Sequence, residues 1–132
     1  MSAEVQRLVG EYFAILLAPD VEARMAPLCT PDVQFHEVLG EFTGMRGFDA
    51  EVLSRQRQIA PGLRIELLQV LADDLEGAAR WRVSGTLPGS AEPFATEGST
   101  WFRIAGGLIA EVWSCWDAAM LLQQFDVPVH RG

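Results

Sequence analysis

The segment Trp101–Trp116, reading WFRIAGGLIAEVWSCW, constrains the fold more than any other stretch of the chain. Two apolar runs meet at Gly106-Gly107, and paired glycines supply the positive φ angles that a two-residue hairpin turn needs. The spacing therefore predicts two antiparallel strands, and the sequence upstream supplies partners for them. In Ala78–Leu87, residues Ala79, Trp81, Val83 and Leu87 alternate with Arg80, Arg82, Ser84 and Thr86, the period of a half-buried strand. Phe94–Ala105 places Phe94, Thr96, Thr100, Phe102 and Ile104 on one face. Leu63–Ala72 reads as a further long strand, with turns at Asp73–Gly77 and Pro88–Pro93. After Pro61 the chain is expected to be wholly antiparallel.

The N-terminal half has another period. Val5, Leu8, Val9, Tyr12, Phe13 and Leu16 recur at helical spacing, predicting an amphipathic helix over residues 3–18 with Ser2 as its cap. Pro19-Asp20 ends it, and a second short helix is expected to run to about Cys29, where Thr30-Pro31-Asp32 stops it. Short strands are expected at Val33–Val38 and Glu41–Met45. A third helix should then bury Phe48, Val52, Leu53 and Ile59 before Pro61-Gly62. Helices first and a strand meander afterwards define an α+β fold. No linker, repeat or low-complexity stretch interrupts it, so residues 1–132 are read as one domain. Helices packed on one face of a curved antiparallel sheet form a cone that leaves an apolar pocket, the usual place for a small molecule.

Composition removes several classes of function. The formal charge is −8 and all ten basic residues are arginines scattered along the chain, so no basic patch for nucleic acid is expected. No apolar run reaches the roughly 18–20 residues of a membrane span. The N-terminus lacks the features of a signal peptide, and two cysteines make no disulfide framework, which leaves a reduced cytoplasmic setting as the expectation. With only His36 and His130 and no paired cysteine spacing, neither a metal site nor a nucleotide site is expected, and no cofactor is called for.

The order of elements, the FRIAGGLIAEVW hairpin and the Trp113…Asp117 ending resemble the SnoaL-like polyketide cyclases. These belong to the NTF2-like superfamily, together with ketosteroid isomerases and limonene-type epoxide hydrolases. The resemblance runs from Tyr12 to the Asp126-Val-Pro128 tail. It implies a pocket-bearing cone, a hydrophobic small-molecule substrate and a homodimer formed through the outer sheet face. It also implies a single acid/base aspartate after the last strand, at Asp117. Tyr12 falls in register with the oxyanion tyrosine of the isomerases. His36 stands where they carry a catalytic aspartate, and Thr100 stands near their second aspartate. The Asp–Arg–Asp set of the epoxide hydrolases is not matched: Arg80 or Arg82 lacks its acidic partner, and Ser114 is not acidic.

The residues themselves allow two readings of most of these positions. Asp117 shares the strand face of Trp113 and Cys115, and an indole wall would raise its pKa towards that of a proton carrier. It also precedes an expected terminal helix, Ala118–Gln124, whose N-terminus it would cap. His36 is either a half-buried polar residue or a pocket acid/base, with Glu37 alternating to the opposite face, away from the pocket. Tyr12 either packs in the core or offers its hydroxyl to substrate. Phe35, Phe102 and Trp113 are expected to wall the pocket, whereas Trp101, sharing a face with Arg103 and Glu97, belongs to the outer sheet. The favoured function is cofactor-free aldol-type ring closure of a polyketide-like carbonyl compound, with Asp117 and His36 as catalytic groups. The alternatives are a non-catalytic small-ligand binder, or an isomerase or dehydratase using His36.

Overall fold

The computed structural model describes residues 2–86, 89 and 91–117. Its helices are α1 (Ala3–Ile15), α2 (Val21–Met25), α3 (Met45–Phe48) and α4 (Ser54–Ile59), the last two joined by a π-helical turn, Asp49–Leu53. The strands are β1 (Cys29–Glu37), β2 (Gly40–Thr43), β3 (Arg64–Ala72), β4 (Glu76–Thr86), β5 (Pro93–Ala105) and β6 (Leu108–Trp116). They form one curved, unclosed sheet in the order β2-β1-β6-β5-β4-β3, an α+β cone as the sequence implied. Among the described residues, no helix is long and apolar enough to cross a membrane.

Helix α1 starts where Ser2 accepts a hydrogen bond from the Val5 N–H at 3.1 Å, satisfying one of the donors a helix start leaves free. Its buried stripe of Val5, Val9, Tyr12 and Phe13 packs on β3 and β4. Two helices are shorter than their spacing suggested. α1 stops at Ile15, and α2 stops at Met25 because β1 already begins at Cys29. Pro31 lies inside that strand, where it was read as a stop. The ladder to β6 is interrupted between Cys29 and Gln34, and a proline without an N–H is tolerated at such an irregularity.

Two features of the sheet depart from the expected meander. β6 pairs antiparallel with β5 but parallel with β1, so the N-terminal strand is inserted beside the last one. Within the β5–β6 hairpin, Gly106 and Gly107 both have positive φ (58° and 79°) as expected. The pairing then slips by one: Ile104 faces Ile109, but Arg103 faces Glu111. Ala110 is the extra residue of a β-bulge, and Ile109 and Ala110 are both buried. A bulge inverts every later side chain. Val112, Ser114 and Trp116 therefore face the helices, while Trp113 and Cys115 face outward.

Candidate functional site

The concave face of the sheet and the helices enclose a cavity of about 590 Å3, within the range typical of small-molecule sites. Its wall is largely apolar, with Phe13, Leu16, Phe48, Leu53, Ile65 and Val83 among the lining side chains. Phe35 and Phe102 are buried behind this wall. Phe35 stacks on Phe48 at 4.2 Å, and Phe102 meets Tyr12 and Phe13 edge-on at 5.1 and 5.9 Å. Glu41, Glu51, Arg55 and Gln56 also line the space, and Glu41, Glu51 and Arg55 are well exposed, which marks a polar mouth.

One carboxyl group stands out on the wall. Glu37, the last residue of β1, continues the inward face of Val33 and Phe35. Burial pushes its pKa up from 4.5 to about 7, against the smaller opposing effects of a hydrogen bond from Ser114 and the charge of His36. Beside Ser114, Thr100 is buried, with its Oγ1 at 3.2 Å from the Ser114 Oγ. Thr100 Oγ1 also accepts the indole N–H of Trp81 at 2.8 Å. Tyr12 lines the same space, and its pKa is raised well above the ordinary value by burial first and by the charge of Glu37 second. The phenol therefore remains an O–H donor at any physiological pH. Among the described residues, no cluster of three or more His, Cys, Asp or Glu side chains is arranged to hold a metal ion.

A different cluster occupies the outer face. The ring of His36 stacks on Trp113 at 5.4 Å. Its Nδ1 lies 2.9 Å from Glu41, and its Nε2 lies 2.5 Å from Glu111, which also accepts from Arg103 at 3.0 Å. Both ring nitrogens face carboxylates, so the imidazolium is the favoured form. The hydrogen bonds to Glu41 and then Glu111 raise the pKa of His36. A raised folded-state value stabilises the fold fully below the unfolded pKa of 6.5, and that stabilisation is lost as pH rises through the folded value. His36→Gln is accordingly expected to destabilise more in mildly acidic than in alkaline buffer. Thermal unfolding across that range checks it, and a cost independent of pH would contradict it.

The chain matches the family described as SnoaL-like domain over residues 9–112, most of its length. It belongs to the SnoaL-like family. Among solved structures it is similar to a candidate SnoaL-like polyketide cyclase from Jannaschia sp. CCS1, at 15% identity and a TM-score of 0.83, with 98% of each chain covered. It is also similar to IdmH, a candidate polyketide cyclase from Streptomyces antibioticus, at 18% identity and a TM-score of 0.78, covering 96% of this chain and 100% of that one. A protein of ketosteroid isomerase-like fold from Catenulispora acidiphila, crystallised with trimethylamine, follows at 15% identity and a TM-score of 0.76, covering 92% and 93%. Identities this low carry the fold alone. No curated protein matches the chain.

In this SnoaL-like chain the residues singled out from sequence fall into three places. Tyr12 and Thr100 reach the cavity, while Phe35 and Phe102 support its wall from behind. His36 and Trp113 sit together on the outer face, where the expectation had them at the pocket. For Trp113 the reason is the bulge at Ala110. For His36 it is the simple alternation of β1, in which Val33, Phe35 and Glu37 take the inner side. Asp117 is exposed just beyond β6 and is not one of the described cavity-lining residues. The helix it was expected to cap, Ala118–Gln124, lies outside the described residues. Glu37, Ser114, Trp81 and Trp116 line the cavity without having been singled out for it. For Glu37 a signal was present, since an acid extends an alternating apolar row.

Proposed function

We propose that this protein is a cofactor-free acid/base catalyst that closes a ring in a hydrophobic, polyketide-like carbonyl compound, with Glu37 as its proton carrier. The observation that carries this reading is the half-buried Glu37 carboxyl on the wall of a largely apolar cavity; burial pushes its pKa up to about 7, near the ideal for proton transfer at neutral pH. The Glu37 carboxylate removes a proton α to a carbonyl, and the electron pair moves onto that carbonyl oxygen. The Tyr12 hydroxyl donates to the resulting enolate. The enolate carbon attacks a second carbonyl of the same molecule, forming the carbon–carbon bond, and the new alkoxide takes the proton back from Glu37. The apolar wall holds the chain folded so that the two carbonyls meet.

The test compares Glu37→Gln, Asp117→Asn and His36→Gln on aromatic polyketide-like diketones, following ring closure by mass and absorbance. Loss confined to Glu37→Gln supports the reading. Full activity in Glu37→Gln with loss in Asp117→Asn would return the role to Asp117. Ligand binding with no turnover by the wild type would support a binding protein instead.

The outer face fits a homodimer contact. Trp101 and Trp113 are cross-strand partners and are 55% and 39% exposed, and aromatic and arginine side chains are enriched at such contacts. The doubly substituted Trp101→Glu, Trp113→Glu protein should sediment as a monomer where the wild type sediments as a dimer. A monomeric wild type would contradict this.

A further inference from the structure

The polar groups behind Glu37 form a line across the sheet with one residue on each of four neighbouring strands. Glu37 ends β1; Ser114 follows Trp113, the β6 partner of His36; Thr100 is the direct β5 partner of Ser114; and Trp81 on β4 faces Gly98, two residues from Thr100. Glu37 and Ser114 each stand one residue beyond the paired His36 and Trp113 and both line the cavity, where Ser114 acts to lower the Glu37 pKa; the Ser114–Thr100 and Thr100–Trp81 contacts are 3.2 and 2.8 Å. We propose that Trp81, Thr100 and Ser114 form a polarised hydroxyl relay, set in direction by the indole, that positions Glu37 and keeps its carboxylate hydrogen-bonded during turnover. The proposal rests on Glu37 as the proton carrier.

The direction follows from donor and acceptor counting. An indole N–H only donates, so Thr100 Oγ1 always spends one lone pair on Trp81. An ionised carboxylate only accepts, so Ser114 must give its proton to Glu37. The Ser114 oxygen is then free to accept the Thr100 proton, and every hydroxyl in the line both gives and receives. Reversing the order, with a protonated Glu37 donating to Ser114, turns the Ser114 proton towards Thr100 and displaces the Thr100 proton from its acceptor in a buried site. The relay thus favours the ionised carboxylate and works against burial. A protonated Glu37 is left to direct its own proton into the cavity, where the alkoxide needs it.

The relay also accounts for Thr100 and Ser114, two small hydroxyl residues on a largely apolar wall. Thr100 and Ser114 fill little volume, yet they connect a buried indole to the acid. Trp81 in turn fits only because its cross-strand partner is glycine: a Cβ on Gly98 would lie 2.5 Å from the ring.

The test is a 13C NMR titration of the Glu37 side-chain carboxyl in the full chain, its signal assigned by its loss in Glu37→Gln. Ring opening of nitrobenzisoxazole, a probe of carboxylate bases in apolar sites, is measured on the same proteins. Ser114→Ala should raise the Glu37 midpoint by about one pH unit, the size expected for losing a hydrogen bond to a charged group, and should move the pH–rate midpoint with it. Ser114→Thr should keep the wild-type midpoint. Thr100→Val, a break one step farther away, should raise it by less. Unchanged midpoints in both Ser114→Ala and Thr100→Val would overturn the relay. If those midpoints move but Glu37→Gln opens the probe as fast as the wild type, the relay stands and the catalytic reading of Glu37 fails. An inactive Glu37→Gln with unmoved midpoints sinks the relay alone.

Discussion

Glu37→Gln is expected to lower the rate of ring closure by about 10²–10⁴-fold, the usual contribution of a general acid/base. Substrate affinity should change little, because the amide keeps the shape of the side chain and the apolar wall is untouched. In the wild type, the rate should rise with pH through about 7 and level off above it, since the reaction begins from the carboxylate. The same substitution should have the opposite effect on stability, in one pH range only. The folded-state pKa of Glu37 lies above the unfolded value of 4.5. The folded chain therefore binds the extra proton between those two values, and stability falls as pH rises through about 7. Above that point the wild type carries the full cost of a partly buried charge, at most about 3 kcal/mol. Glu37→Gln is relieved of it. Denaturant unfolding should show the variant gaining on the wild type from mildly acidic to alkaline pH. A gap that does not change with pH would show that Glu37 titrates as an ordinary surface acid.

Gly98→Ala is expected to be the most disruptive change of a single methyl group. A Cβ there would sit 2.5 Å from Cζ2 and 2.6 Å from Cη2 of Trp81, and 2.8 Å from the backbone oxygen of Cys115. Rotating the indole away relieves only part of the clash, because the Cys115 carbonyl belongs to the neighbouring strand. Overpacking of this kind typically costs about 1–3 kcal/mol, and two simultaneous clashes put this site at the upper end. Displacing Trp81 also withdraws the N–H that Thr100 accepts. Activity should therefore fall further than the loss of folded protein accounts for, measured as rate per folded molecule. A variant as stable and active as the wild type would mean that the sheet opens freely at this point.

Much of the architecture was legible because it depends on periodicity. The inward rows Ala79-Trp81-Val83 and Phe94-Thr96-Thr100-Phe102-Ile104 both face the core as their alternation implies, and the Gly106-Gly107 turn lies where two glycines allow it. The family resemblance found in the sequence holds. The site was harder to read because a strand's face depends on its phase, and phase is lost by a single slip. Counting back from a regular two-residue turn pairs Trp113 with Thr100 on the inner face; the bulge pairs Ser114 with it instead. Nothing in Leu108-Ile-Ala-Glu-Val announces that slip, since its buried Ile109 and Ala110 are both small or apolar enough for either register. Glu37 was missed for another reason. His36 drew notice through its side-chain chemistry, although Val33 and Phe35 already assigned the inner row to the next residue.

The extra residue at Ala110 makes the cavity wall sensitive to length as well as to composition. Removing that one amino acid would restore a regular ladder and rotate the rest of β6 by half a turn. Trp113 and Cys115 would be presented to the ligand, and Ser114 and Trp116 would move to the outside. A single-codon deletion, with no substitution anywhere, would thus replace a hydroxyl contact by a bulky ring and disconnect the acid. On this scaffold, a one-residue gap in the final hairpin would change which side chains face the cavity as surely as a substitution does.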